Sequence, residues 1–194
     1  MNYDSDILKI ISNNVKPVKG KILISEPLLC NDMFSRSVVL LIDEYKDSFS
    51  GLILNLPSEK KLKDVIDGIE NNDFQIYSGG PVEQDVLFYI HTFDFIRGAK
   101  HIVGDLYIDG DFDDIKKLVN SGYANDSNIR FFVGNAGWAP SQLNEEISFN
   151  SWLVTSASKD FIFSDGNMMW KNSLNLVDKR YKIWENFPTD PELN

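Results

Sequence analysis

The hydrophobic residues of this chain fall in short runs that end at glycine, proline, asparagine or aspartate. Such runs are typical of β-strands bounded by turns. The apolar run SVVLLID at residues 37–43 predicts a central strand buried on both faces, and residues 51–55 predict a strand antiparallel to it. The other runs predict strands at residues 21–25, 75–78, 86–91, 102–108, 129–133, 152–156 and 161–163.

Other segments have the spacing of amphipathic helices. In residues 58–69, the apolar side chains Leu62, Ile66 and Ile69 recur every three or four positions, which predicts one buried face. Residues 181–194 predict a tail that lies on the surface. Strands and helices do not alternate strictly, so the pattern indicates a single α+β domain. The predicted helices are an N-terminal appendage at residues 1–16, segments 58–69, 112–121 and 168–176, and a helix that starts near Pro140.

Composition and charge narrow the classes of function. The 194 residues are 43% hydrophobic, which is enough for a packed core, and they carry a formal net charge of −10. Nucleic acid is therefore disfavoured as a partner, because neutralising its phosphates requires clustered lysine and arginine. The one cysteine, Cys30, excludes an internal disulfide, and no apolar run has the length of a membrane span or the form of a signal peptide. We expect a cytoplasmic protein without membrane contact, as a monomer or weak homo-oligomer.

No motif of known catalytic or metal chemistry is present in the sequence. The two histidines, His91 and His101, have no zinc-ligand spacing. Residues 109–114, DGDFDD, begin like a calcium loop, but Asp114 stands where such loops need glycine. We therefore interpret Asp111 as the cap of the following helix. Nucleophile-elbow and phosphate-loop motifs are also missing, so we expect no catalytic set, no metal and no cofactor.

The strongest candidate for a binding site is the segment 134–152, GNAGWAPSQLNEEISFNSW. Its glycines predict a turn that leads from a strand into a helix, and free N–H groups at a helix start attract anions. Within this helix Gln142 and Glu146 would lie at the rim of a cleft, with Trp138 as a wall. Residues 79–81 predict a second glycine turn. The alternative is that the glycines only permit tight turns and the tryptophans only fill the core.

Five segments together carry a family resemblance. In order they are residues 20–43, 51–57 (GLILNLP), 79–91 (GGPVEQDVLFYIH), 134–154 and 187–194 (FPTDPELN). On these segments the chain resembles the AlgH (YqgE) family of bacterial proteins. The resemblance implies an α+β fold with a mixed, largely antiparallel sheet curled into a partial barrel with flanking helices. It also implies a cytoplasmic protein whose biochemical role is not established, in a family named for its association with the regulation of alginate synthesis.

The chain departs from the family pattern at several positions in these segments. Leu56 stands where the family usually has the arginine of an Asn-Arg-Pro sequence, so a charged donor beside the glycine turns is missing. This departure weakens the expectation of phosphate or nucleotide binding. Ser141 stands where the family often has glycine, and Asn135 where it often has tyrosine.

The sequence is compatible with three functions. The leading hypothesis is a non-enzymatic regulatory protein that binds a small-molecule ligand or an unknown partner protein. The second is a hydrolase or transferase with Glu146 as general base and an oxyanion site at the N–H groups near Gly80 or Gly137. The third, a DNA-binding transcriptional regulator, is disfavoured by the acidic charge. The candidate binding residues are Asn55, Gly79, Gly80, Gly134, Gly137, Trp138, Gln142 and Glu146.

Overall fold

The structure, a computed structural model, describes residues 13, 15–27, 29, 33–70 and 74–187. Its strands are β1 (Ile22–Ser25), β2 (Val38–Tyr45), β3 (Ser48–Ile53), β4 (Pro57–Lys61), β5 (Gln75–Ser78), β6 (Val82–His91), β7 (Lys100–Val103), β8 (Leu106–Ile108), β9 (Ile129–Trp138) and β10 (Trp152–Thr155). Its helices are α1 (Leu62–Val65), α2 (Phe112–Asn120), α3 (Gln142–Ser148), α4 (Lys159–Ile162) and α5 (Gly166–Ser173), followed by 3₁₀ turns at Leu174–Leu176 and Lys179–Asn186. Within the described ranges, no helix combines the length and the apolar character needed to cross a membrane.

A ten-stranded, largely antiparallel sheet organises the fold. Its main strand order is β10-β1-β2-β3-β9-β6-β8-β7, while β5 pairs parallel to β9 and β4 pairs with β5. In the described part of the chain, β10 and β7 stand at the two ends of this order and do not pair, so the sheet is not closed into a barrel. The predicted α+β class, with a mixed, largely antiparallel sheet and flanking helices, is confirmed.

Strand β2 confirms the prediction of a central strand that is buried on both faces. Val38, Leu40 and Ile42 pack into one hydrophobic cluster, while Val39 and Leu41 pack into another cluster on the opposite face. β3 pairs antiparallel to β2, as the short connection between the two apolar runs predicts. Successive side chains of residues 38–42 therefore point alternately into the two cores, which explains why this run is apolar without alternation.

Three clusters of buried side chains form the core. The first lies under α4, α5 and the 3₁₀ turns, and the second lies between α2 and strands β5, β6 and β9. The third lies between α3 and strands β1, β2, β3, β9 and β10. Residues 181–187 of the predicted surface tail are partly exposed, but Tyr181 and Trp184 are each 3% exposed and belong to the first cluster. Burial of these two rings holds the segment on the core.

Two predicted elements differ because backbone pairing overrides apolar spacing. The helix expected at residues 58–69 is strand β4 followed by the short helix α1, since β4 pairs with β5. Leu62, which is fully buried, still anchors the predicted apolar face. The single strand expected at residues 102–108 is a hairpin of β7 and β8, and its turn contains Gly104 in a left-handed conformation.

The strand expected at residues 161–163 is also wrong, because this segment ends helix α4. The Ser158 side chain caps the start of the helix. The end is held by Arg130 of β9, which donates to the carbonyl oxygens of Ile162 at 2.9 Å and Ser164 at 2.6 Å. A buried guanidinium thus satisfies carbonyl groups that a helix end leaves without partners.

Helix α2 is confirmed together with its cap. The Asp111 carboxylate accepts hydrogen bonds from the backbone N–H groups of Asp113 at 3.1 Å and Asp114 at 3.3 Å, so the acidic run is a capping turn. Helix α5 with the following 3₁₀ turn corresponds to the helix predicted at residues 168–176. Cys30, residues 188–194 and almost all of the predicted N-terminal appendage lie outside the described residues.

His91 is a buried histidine whose tautomer is set by its neighbours. The N–H of Phe93 donates to Nδ1 at 3.1 Å, so Nε2 carries the proton and donates to the carbonyl oxygen of Asp109 at 2.9 Å. The ring also stacks on Phe93 and Tyr107. Burial lowers the pKa of His91, although the bond to the Asp109 carbonyl acts in the opposite direction. The folded protein therefore favours the neutral imidazole.

We expect His91 to make the free energy of unfolding depend on pH. Because the folded pKa is depressed, its contribution is present above the ordinary histidine pKa of about 6.5 and is lost below it, where the unfolded chain takes up a proton first. The loss reaches about 1.4 kcal/mol per pH unit. In urea unfolding from pH about 7.5 to 5.5, His91→Gln should lack this loss, while the exposed control His101→Gln keeps it. An equal slope in both variants would contradict the assignment.

Candidate functional site

The turn predicted at residues 134–137 is wrong, because these residues belong to strand β9. Ala136 and Gly137 pair with β3, so the strand continues to Trp138 although Gly134 has a left-handed backbone (φ 75°). The backbone of the glycine segment therefore lies in a sheet and not at the start of a helix. Helix α3 begins only after Ser141, which has a left-handed backbone (φ 68°) at a position where the family often has glycine.

Gly79 and Gly80 allow two backbones to cross at close range. The N–H of Gly79 donates to the carbonyl oxygen of Val133 in β9 at 2.9 Å, and its carbonyl accepts from the N–H of Ile53 in β3 at 2.9 Å. A Cβ on Gly79 would lie 2.1 Å from the carbonyl oxygen of Gly134, and one on Gly80 would lie 2.3 Å from the backbone of β9. No side chain fits at this crossing, so the candidate glycines Gly79, Gly80 and Gly134 have a structural role.

One cavity lies between α3, the end of β9 and the start of β10. It is lined by four other candidate residues, Gly137, Trp138, Gln142 and Glu146. Trp138 and Trp152 meet edge to face with ring centroids 6.1 Å apart, and Phe34 lies 5.8 Å from Trp152. The glycine crossing lies beside the cavity, because Pro81 directly follows Gly80 and forms part of the wall. The cavity has a volume of about 460 Å³ and is lined by Leu29, Phe34, Pro81, Gly137, Trp138, Gln142, Glu146, Ser151 and Trp152.

Glu146 connects the walls of this cavity. Its Oε2 accepts hydrogen bonds from Nε1 of Trp138 at 2.9 Å and from Nε1 of Trp152 at 2.8 Å. Its Oε1 accepts from Nε2 of Gln142 at 2.9 Å. Gln142 in turn accepts from the N–H of Ala139 at 3.0 Å, which ties the residues before α3 to the helix. One carboxylate therefore joins α3 to the end of β9 and to the start of β10.

The surroundings of the Glu146 carboxylate determine what the cavity can do chemically. All three of its donors are uncharged, and no lysine, arginine or histidine of the described chain lines the cavity. A general base needs an acceptor position aimed at the substrate proton, whereas this carboxylate already accepts three hydrogen bonds. The described residues also contain no group of three or more histidine, cysteine, aspartate or glutamate side chains placed to hold a metal ion. The arrangement is that of a fixed, negatively charged wall.

Asn55 lies away from this cavity. Its Oδ1 accepts from the N–H of Val38 at 2.8 Å and its Nδ2 donates to the carbonyl of Arg36 at 2.9 Å, so it fastens the start of β2. It lines a second cavity of about 310 Å³ with Arg36 and Trp170. Asn55 therefore does not meet the glycine crossing and Trp138 in one cleft. The candidate residues divide into a cavity group, a backbone crossing and Asn55.

Several residues of the cavity were not among the candidates. Phe34 and Pro81 come from distant segments of the chain, and no local pattern connects them to α3. Trp152 follows Glu146 by six residues, and that spacing becomes informative only when β10 is known to fold back beside the helix. The four-residue spacing of Gln142 and Glu146 does predict that they lie close together on one helix, and their side chains are hydrogen-bonded.

Gly79→Ala tests the backbone crossing. The added methyl group would overlap the carbonyl of Gly134, and neither backbone can move without breaking strand pairs, so we expect a loss of about 3 kcal/mol or more in the free energy of unfolding. Gly137→Ala is the matched control in β9, because its Cβ would lie 3.7 Å from a methyl group of Val82. It should change stability by less than about 1 kcal/mol in urea unfolding. Equal stability of the two variants would show that the strands do not cross closely.

Variants of Glu146 test whether its carboxylate holds the two tryptophans. Glu146→Ala leaves two indole N–H groups without their partner, and we expect a loss of about 2–3 kcal/mol. Glu146→Gln keeps an oxygen acceptor and should cost about 1 kcal/mol. The control Glu145→Ala, at the exposed preceding residue, should change stability by less than about 0.5 kcal/mol. Chemical denaturation followed by tryptophan fluorescence measures all three, and a Glu146→Ala loss no larger than the control's would contradict this role.

Known proteins of similar sequence and fold identify the family. The profile of a family described as AlgH-like matches residues 22–182. A UPF0301 protein of Bacteroides thetaiotaomicron is 46% identical over 100% of both chains, and one of Parabacteroides distasonis is 40% identical over 97% of this chain and 98% of its own. An X-ray structure of a Corynebacterium diphtheriae protein has 24% identity and a TM-score of 0.76, covering 96% of this chain and 100% of that chain. The solution structure of the AlgH protein from Pseudomonas aeruginosa has 22% identity and a TM-score of 0.70, covering 90% and 97%. The chain belongs to the AlgH-like family.

Proposed function

We propose that this AlgH-like protein is a cytoplasmic, non-enzymatic regulatory protein whose ligand or partner occupies the cavity at Glu146. The observation that carries the proposal is the hydrogen bonding of that carboxylate, which two indoles and one amide hold in place. A side chain held in this way is better suited to recognising a bound group than to moving protons. The single cysteine of the sequence supports the cytoplasmic location.

The size and the walls of the cavity support a role in binding. Its volume of about 460 Å³ lies within the range of roughly 300–1,000 Å³ that is typical of small-molecule pockets. Trp138 and Trp152 are 5% and 2% exposed, so packing fixes their rings before a ligand arrives. A preformed wall loses little conformational entropy on binding, which favours affinity.

Two other functions have less support from the geometry. Hydrolysis with Glu146 as general base would require the carboxylate to release one of its three hydrogen bonds or to use its one remaining acceptor position. DNA binding would require a basic surface on a chain whose net charge is −10. Nucleic acid is therefore not part of the proposal.

A thermal-shift screen of a metabolite panel tests the proposal. We expect at least one compound to bind and, at about 100 times its Kd, to stabilise the protein by about 2.7 kcal/mol, which is a rise in Tm of roughly 5–10 °C. Gln142→Trp fills the mouth of the cavity and should abolish this rise. Asn144→Trp, at an exposed position of the same helix that does not line the cavity, is the matched control and should keep it.

The outcomes of the screen separate the alternatives. A rise in Tm that Gln142→Trp leaves unchanged would place binding elsewhere and reject this cavity. Product release from a panel compound, with loss of turnover in Glu146→Gln, would reject the non-enzymatic assignment in favour of a hydrolase or transferase. If no compound of the panel stabilises the protein, the remaining occupant is a partner protein. Gln142→Trp should then reduce the amount of that partner protein captured in a pull-down.

A further inference from the structure

The charge of the Glu146 carboxylate has no counter-ion in the described chain. Its donors, two indoles and one amide, are neutral, and none of the salt bridges among the described residues involves it. Glu145 precedes it on the same helix, and the whole chain carries a net charge of −10. A half-buried anion is screened less than one at an open surface, so it attracts a cation into the cavity.

The walls of the cavity favour a particular kind of cation. Phe34, Trp138 and Trp152 line it, but Trp138 and Trp152 are only 5% and 2% exposed, so the ring of Phe34 is the aromatic face that a cation can reach. Both indole N–H groups donate to the Glu146 carboxylate and hold it in the same cavity as Phe34. Phe34 is half-buried, so part of its ring is accessible. An accessible aromatic ring beside a carboxylate matches an alkylated ammonium group, whereas a metal ion would need several oxygen ligands.

We propose that the ligand of this cavity is an organic cation, a small molecule that carries an alkylated ammonium group. The inference rests on the proposed function, because it names the chemical class of the ligand of that same cavity. An anionic ligand such as a phosphate ester would meet the carboxylate of Glu146 without a lysine or arginine in the cavity lining to offset the repulsion. The charge of the site therefore selects against the anions that glycine-rich segments attract elsewhere.

A pair of probes tests the charge requirement on the unmodified protein. Choline carries a trimethylammonium group, and 3,3-dimethyl-1-butanol is its neutral isostere, in which carbon replaces nitrogen. The two probes bury nearly the same apolar surface, so a difference in affinity reports the charge. Isothermal titration should show saturable binding of choline that is at least about tenfold tighter than binding of the isostere.

A charge-removing variant links this preference to one side chain. Glu146→Gln removes the charge and keeps an oxygen acceptor for the indole N–H groups. It should weaken choline binding by about tenfold or more and leave the affinity of the isostere within about twofold of the wild type. Glu145→Gln, the same change at the exposed preceding residue, is the matched control and should leave both affinities unchanged. Circular dichroism and Tm show that each variant is folded.

The possible results distinguish this inference from the proposed function. Equal affinity for choline and its isostere, absence of saturable choline binding, or choline affinity that Glu146→Gln does not change would each overturn the organic cation. The proposed function stands if an uncharged or anionic compound of the metabolite panel still binds and is blocked by Gln142→Trp. It fails separately if Gln142→Trp blocks no compound and no partner.

Discussion

The close crossing of two backbones, residues 79–80 against Gly134, is the constraint on which the rest of the structure depends. Because no side chain intervenes, β9 can pair with β5 and β6 along its first half and with β3 along its second half. One strand therefore joins β3 to β5 and β6 within the ten-stranded sheet. The second half of β9 ends at Trp138, so the candidate cavity lies where this strand has changed its neighbours.

The Glu146 carboxylate lies in the cavity beside this crossing, at the end of β9. The end of β9 brings Trp138, the start of β10 brings Trp152, and the carboxylate accepts a hydrogen bond from each indole. The same side chain thus holds α3 against the sheet and forms the charged wall of the cavity. A ligand at this carboxylate would contact the joint between helix and sheet, so the proposed binding would be coupled to the stability of the third hydrophobic cluster.

Local patterns predict the features that neighbouring residues in the sequence encode. The apolar run of β2, the cap at Asp111 and the shared cavity of Gln142 and Glu146 can all be read from spacing alone. Long-range pairing determines the others: β4 is extended because β5 lies beside it, and the glycine segment stays in β9 because β3 pairs with it. The contact of Trp152 with Glu146 depends on how β10 returns along β1, and no local spacing encodes that path.

NMR titration of the indole N–H signals tests most directly whether the Glu146 cavity is the ligand site. The chain has four tryptophans, of which Trp138 and Trp152 line the cavity while Trp170 and Trp184 belong to the first hydrophobic cluster. Titration with the highest-affinity compound of the metabolite panel should shift the signals of Trp138 and Trp152 and leave the other two unchanged. Saturable binding that shifts Trp170 or Trp184, with Trp138 and Trp152 unchanged, would contradict binding at Glu146.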